Sequence, residues 1–337
     1  MKSGLPSVVL LFHSLEEHDP ASLRGLGNIG PSLFEGLCRA IREEFDVVSL
    51  RTLVEGISGP SAHSAGMIAV TFDDGGKSYG SFGAPIAGSL GIPTTCFLIT
   101  DCIGGRVLYW RYLYNYCMRT GRGRELARMI SEEYDLPVEV NDVVSLTRKL
   151  YDAAKTGKIM RRIAEEIVSD EEYRAKEGEL FLSFDDIGRL AGDPLVEFGV
   201  HTRTHPVMRA LGDDEIREEI SGSVAFYREK IGDAFPMFSV PFGRLGRDYD
   251  ERTVIAALEL GLPAVFSAYG GGNEPGQPLS NIRRIPVTEE RLAGGIGTFV
   301  QSLHEADVAP EYLERESALQ KAVDEWKKCR GRNELRP

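Results

Sequence analysis

Short apolar runs recur along this chain of 337 residues, with amphipathic segments between them. Ser7 to Phe12, Asp46 to Leu50, Met67 to Phe72, Thr94 to Ile99, Val196 to Val200, Met237 to Val240, Ala264 to Ser267 and Arg284 to Val287 read as strands. Ser32 to Glu44 and Asp213 to Ile231 carry a helical apolar period. Buried strands alternating with helices specify an α/β fold with mostly parallel strands. Seven or eight of them predict a distorted or incomplete (β/α) barrel, whose chemistry gathers at the strand C-termini. From about 104 to 180 no strand is evident, and the stretch is rich in Arg, Glu, Lys and Leu. It opens on the aromatic run Val107-Leu108-Tyr109-Trp110-Arg111-Tyr112-Leu113-Tyr114-Asn115-Tyr116 and is expected to be a helical insertion. The expected organisation is a barrel domain over 1–308 containing that insertion, and a C-terminal helix within 309–337 packed on it.

The run Met67 to Phe72 ends in Asp73-Asp74-Gly75. Adjacent carboxylates at the tip of a buried strand repel each other and lose hydration unless a cation or a proton sits between them. Successive strand residues point in opposite directions, so a turn at Gly75 lets the pair divide its work. One carboxylate then binds a metal while the other handles a proton, as metal-assisted hydrolysis requires. Without metal, one of the pair should have a raised pKa.

A second signal follows the run Val196 to Val200: His201-Thr202-Arg203-Thr204-His205-Pro206. The i, i+4 spacing puts both imidazoles on one side if the segment turns helically. Two neutral histidines and a carboxylate make a common three-ligand site with open positions for water. Taken alone, the pair would more often be surface or capping residues; beside the Asp-Asp tip, the metal reading is strongly favoured. The third signal is Phe238-Ser239-Val240-Pro241-Phe242-Gly243. Pro241 lacks an N–H and Gly243 permits a tight turn, which frees the Phe242 N–H to face a reacting oxygen; taken alone, the segment reads rather as an ordinary exit from strand to loop.

These motifs, in this order, resemble the polysaccharide deacetylase family (carbohydrate esterase family 4, the NodB-homology domain). The resemblance runs from about Val8 to Val287 and takes in Leu11-Phe12-His13-Ser14 and Arg283-Arg284-Ile285-Pro286-Val287 as outer segments. It implies that Asp74, His201 and His205 bind a divalent metal, most often Zn2+, with Co2+, Ni2+ or Fe2+ as alternatives for such a ligand set. It implies that Asp73 is the general base toward metal-bound water and that the metal and the Phe242 N–H stabilise the oxyanion. Many members carry an Arg where Ser239 stands; here Arg284 is expected either to take over that role or to form a surface ion pair. A late histidine that often serves as general acid is missing, since His304 lies in Ser302-Leu303-His304-Glu305 beyond the last strand. His13 is the expected substitute, or else a hydrogen-bonded histidine at the barrel mouth. Trp110, Pro241 and Phe242 are the expected substrate contacts, with the alternative that the aromatic run simply packs on the barrel.

The expected function is removal of an N-acetyl (acyl) group from an amino sugar in a saccharide or sugar conjugate. The alternatives are an amidohydrolase of the same fold acting on a formamide or cyclic amide, and a non-catalytic carbohydrate-binding relative. The formal net charge of -12 argues against a general nucleic-acid binder. Five cysteines without a CxxC pair suggest thiols in a reducing compartment. The apolar run before His13 is too short for a signal or a membrane span. These features predict a cytoplasmic protein without transmembrane segments, its nucleotide-linked or lipid-linked sugar substrate in the same compartment, and leave a homo-oligomer open.

Overall fold

Seven parallel strands close on themselves in a computed structural model that describes residues 5–16, 28–59, 66–105, 107–169, 171–173, 180–232 and 236–333. The strands are β1 (Val8–Phe12), β3 (Met67–Phe72), β4 (Thr94–Leu98), β5 (Val196–Val200), β6 (Phe238–Ser239), β7 (Val265–Gly270) and β8 (Ile282–Pro286). Their order around the ring is β1-β8-β7-β6-β5-β4-β3, and pairing of β1 with β3 completes it. The expected (β/α) barrel is therefore present, closed and with seven strands.

The eighth expected strand, Asp46 to Leu50, is shorter than its apolar pattern suggests. β2 covers only Asp46–Val47, pairing with the first residues of β3. Ser49 then caps a helix over Leu50–Ser58 by accepting from the Thr52 N–H, so the chain leaves the extended state early.

The barrel strands are buried on both faces, as parallel strands covered by helices must be. Val8, Leu10, Phe12, Ile68, Val70, Phe72, Cys96 and Leu98 share an apolar cluster with surrounding helices such as Pro31–Glu44. Val9, Ala69, Phe97, Phe266 and Ile282 belong to a separate interior cluster, packed against the helix Leu50–Ser58. Two-residue periodicity assigns Asp73 to the same side as Ala69 and Thr71, and Arg284 to that of Ile282. Both polar side chains thus project along the barrel axis.

Between β4 and β5 the chain forms helices over Trp110–Arg119, Gly123–Tyr134, Val143–Lys149 and Ala153–Glu166. They build their own apolar cluster, which Val207 and Phe242 of the barrel loops join. Positions 106, 170 and 174–179 of the expected insertion lie outside the described residues, as do 1–4 and 334–337 at the two ends. The C-terminal helix Pro310–Asn333 buries Leu319 and Val323 in the main cluster and ties Glu316 to Arg283 at 2.6 Å. No helix among the described residues is long and apolar enough to cross a membrane.

Candidate metal and active site

The strand C-termini deliver the polar groups to one mouth. His13 follows β1, Asp73 and Asp74 follow β3, His201 and His205 follow β5, and Phe242 follows β6. These six residues line a cavity of about 210 Å³, together with Tyr109, Arg111, Tyr112, Arg148 and Tyr269.

Asp73 is 2% exposed and Arg284 is 0% exposed, so their contact is a buried ion pair rather than the surface pair considered above. Arg284 holds Asp73 bidentately, Nη1 to Oδ1 at 2.8 Å and Nη2 to Oδ2 at 2.7 Å. Its Nη2 also donates to Ser239 Oγ at 2.7 Å, and its Nε to the Ser267 carbonyl at 2.6 Å. Ser239 Oγ in turn donates to Asp73 Oδ2 at 3.2 Å. The small side chain at 239 thus leaves room for a guanidinium arriving from β8. Burial alone would push the Asp73 carboxyl up; Arg284 and then His201 outweigh it and hold the group at about 2. The expected raised pKa therefore does not fall on Asp73, because its charge is already compensated by Arg284.

Asp74 takes the opposite direction because the backbone turns one residue earlier than expected, with φ 74° at Asp74 as well as 75° at Gly75. Its Oδ1 lies 3.6 Å from His201 Nε2 and 3.6 Å from His205 Nε2, and among the described residues it is buried without a hydrogen-bond partner. Its Oδ2 accepts from the Tyr112 hydroxyl at 2.6 Å. His201 Nδ1 sits 2.7 Å from the Ser239 carbonyl, which makes Nδ1 the protonated nitrogen and leaves the Nε2 lone pair for the cavity. Burial pushes the His205 pKa well below the ordinary value, with His201 and Arg111 adding to the effect, which favours the neutral ring. Asp74, His201 and His205 form a group with ligand atoms all within 4.8 Å of one another. Ligands at about 2.0–2.1 Å from a tetrahedral Zn2+ stand about 3.3 Å apart, close to the spacing found. The orphaned Oδ1 and two converging ring nitrogens fit a divalent cation.

The histidines do not meet through a helical turn. Thr202 and His205 have φ of 64° and 60°, and no helix is present between them. Glu219 organises this loop, its Oε2 accepting from the Arg203 N–H at 2.9 Å and the Thr204 N–H at 3.0 Å, and its Oε1 from the Thr204 hydroxyl at 2.7 Å. The His205 N–H donates to Thr202 Oγ1 at 3.1 Å. With Phe242 at φ 59°, four non-glycine residues at the mouth sit in the left-handed region, where strain persists only if the surroundings over-determine it. Here the bonds to Glu219 and Thr202 hold the histidine loop.

Trp110 is not part of the cavity wall. It is 4% exposed, packed near Tyr109, Tyr114, Tyr151 and Phe242, and its indole N–H donates to the His205 carbonyl at 3.3 Å. A buried indole seeks such an acceptor, and here it braces a candidate ligand from behind. Pro241 is likewise buried and off the cavity surface. The wall expected of Trp110 is made by Tyr109, Arg111 and Tyr112, with the Tyr109 hydroxyl and Arg111 Nε buried and unpartnered among the described residues. Phe242 packs its ring 4.7 Å from His205 and under the Arg148 guanidinium at 4.4 Å. Among the described residues no acceptor is found for its N–H. His304 lies far from this mouth in the packing, against Phe45 and 2.6 Å from Glu44. Tyr112 and Arg148 were not singled out from the sequence; the aromatic run located the region but not the ring that reaches Asp74.

Residues 159–265 match the family model described as Polysaccharide deacetylase. No curated protein matches the sequence. A structure of IcaB from Ammonifex degensii superposes with a TM-score of 0.58 at 17% identity, covering 88% of this chain and 98% of that one. A de-N-acetylase from Aggregatibacter actinomycetemcomitans gives 0.55 at 13% identity, with 87% and 99% covered. The deacetylase PplD of Streptococcus pyogenes, solved with acetate, gives 0.53 at 14% identity, with 87% and 99% covered. At these identities the likenesses speak to the fold.

Proposed function

We propose that the chain, whose residues 159–265 match the polysaccharide deacetylase family model, is a member of that family and a metal-dependent hydrolase removing an N-acetyl group from an amino sugar in a saccharide or sugar conjugate. The observation that carries this reading is the convergence of Asp74 Oδ1 with His201 Nε2 and His205 Nε2, beside an Asp73 clamped by Arg284. A divalent cation held by Asp74, His201 and His205, Zn2+ being the first candidate, supplies Lewis acidity and brings the pKa of water toward about 7.

The other roles belong to the protein. Asp73 accepts the proton of the attacking water; Arg284 keeps it ionised and fixes its orientation, which suits a base whose task is positional. The unpaired Phe242 N–H is the donor for the developing oxyanion. His13, lining the same cavity, is the group assigned to protonate the leaving amine. Tyr109 and Arg111 form the wall against which the acetamido sugar lies. The chemistry belongs to the barrel with its insertion (1–308), and the helix within 309–337 covers the barrel. The buried Cys38, Cys96 and Cys117 are free thiols, which fits a cytoplasmic protein.

The test is acetate release from N-acetylglucosamine oligosaccharides. Chelation should abolish it, and Asp73→Asn should lower kcat by about 10²–10⁴-fold, the span of a positioned base. Undiminished turnover in either case defeats the proposal.

A further inference from the structure

A second cavity of about 490 Å³ opens beside the catalytic one, and Tyr269 and Pro286 line both. Besides Arg284, which is committed to Asp73, three arginines line it: Arg244 from the loop after β6, Arg291 after β8 and Arg315 on the C-terminal helix. All three are exposed, and among the described residues none of them is in an ion pair. Neighbouring Arg283, by contrast, is held by Glu316 at 2.6 Å. Asp307 and Glu311 line the same cavity, yet neither pairs with these arginines.

Two of the three are held in place by groups that leave their charge uncompensated. Arg244 lies over the Tyr269 ring at 3.9 Å, and Arg315 Nη1 donates to the Leu245 carbonyl at 3.0 Å. Guanidinium groups gathered this way repel one another until an anion joins them, and their forked N–H groups match phosphate oxygens. The catalytic cavity, at about 210 Å³, is smaller than the ~300–1,000 Å³ typical of small-molecule sites. It suits the acetamido end of a ligand whose remainder extends past Tyr269.

Building on the deacetylase reading, we propose that Arg244, Arg291 and Arg315 form a phosphate subsite, and that the substrate is an N-acetylated amino sugar carrying a phosphate or diphosphate. The shared chemistry is the phosphoryl group, whether it leads on to a nucleoside or to a lipid carrier.

The experiment compares kcat/KM for four probes: an N-acetylhexosamine methyl glycoside, its 1-phosphate, its nucleoside diphosphate and its prenyl phosphate dispersed in detergent. The phosphorylated probes should exceed the neutral glycoside by about 100-fold, from charge-assisted bonds to several arginines. Raising salt from about 50 to about 500 mM should narrow that ratio. The ratio should collapse in Arg244→Gln/Arg291→Gln/Arg315→Gln and fall by about tenfold in the single surface variant Arg291→Gln. Inorganic pyrophosphate should compete in the unsubstituted protein, which reads the subsite without any substitution. The nucleoside and prenyl probes, ranked against each other, identify the carrier. A neutral glycoside turned over as well as the phosphorylated probes, or an equal loss on both in the arginine variants, overturns the subsite. If no probe releases acetate, calorimetry separates the two claims: tight binding of the 1-phosphate that weakens in the arginine variants supports the subsite while the deacetylase reading falls.

Discussion

Asp73 and Arg284 show what a single residue contributes. Each buries a charge, and neither is tolerable without the other, since removing one partner of such a pair costs about 3–5 kcal/mol. The folded pKa of Asp73, about 2, is below the ordinary ~3.9 of an unfolded aspartate. A depressed carboxyl stabilises the fold above the unfolded pKa, and that contribution is lost as pH falls through the folded value. Metal-free protein should therefore lose about 2–3 kcal/mol of unfolding free energy between pH ~5 and ~2 through this group. Chemical denaturation across that range should show this component absent in Asp73→Asn. Tyr112→Phe removes the hydroxyl that bonds Asp74 Oδ2, and metal affinity should fall about 10–100-fold, read by competition with a chelating dye. Asp73, Asp74, His201 and His205 stood out in the sequence because charge at the tip of a buried strand demands a reason. Arg284 was legible only as a choice between two roles, since nothing local says whether a side chain turns into a barrel. Tyr112 was hidden among Tyr109, Tyr114 and Tyr116, whose spacing does not reveal which hydroxyl meets a carboxylate across 38 positions.

At the level of elements, local chemistry overrode periodicity twice. Ser49 turned the end of an expected strand into a helix cap. The HxxxH spacing suggested a helical turn, but a loop with Thr202 and His205 in left-handed conformation brings the rings together, held by Glu219 some fifteen positions on. No pattern within the motif announces that carboxylate. The insertion and the barrel are joined by another such tie. Asp248, 1% exposed, accepts from Arg148 Nη2 at 2.7 Å and from the Arg244 N–H at 3.0 Å, while Arg148 covers Phe242. Asp248→Ala should cost about 3 kcal/mol in unfolding free energy and lower kcat by loosening the Phe242 loop. Arg148→Ala added to it should cost much less than the sum of the two single changes, a coupling that a double-mutant cycle reads directly.

For the molecule as a whole, the barrel was readable because parallel strands covered on both faces appear as unbroken apolar runs. Closure with seven strands was not, because it depends on β1 meeting β3 across sixty residues of sequence and on β2 staying short. The insertion showed as a gap in the strand rhythm, but its apolar cluster extends to Val207 and Phe242, so it also walls the site. The measurement that bears most directly on the account is acetate release as a divalent metal is added stepwise to metal-stripped protein. The account predicts no activity at the start, a rise to a plateau at a single equivalent per chain, and no rise in Asp74→Ala. Acetate release by the metal-free protein, or an Asp74→Ala variant that responds like the unsubstituted chain, would contradict it.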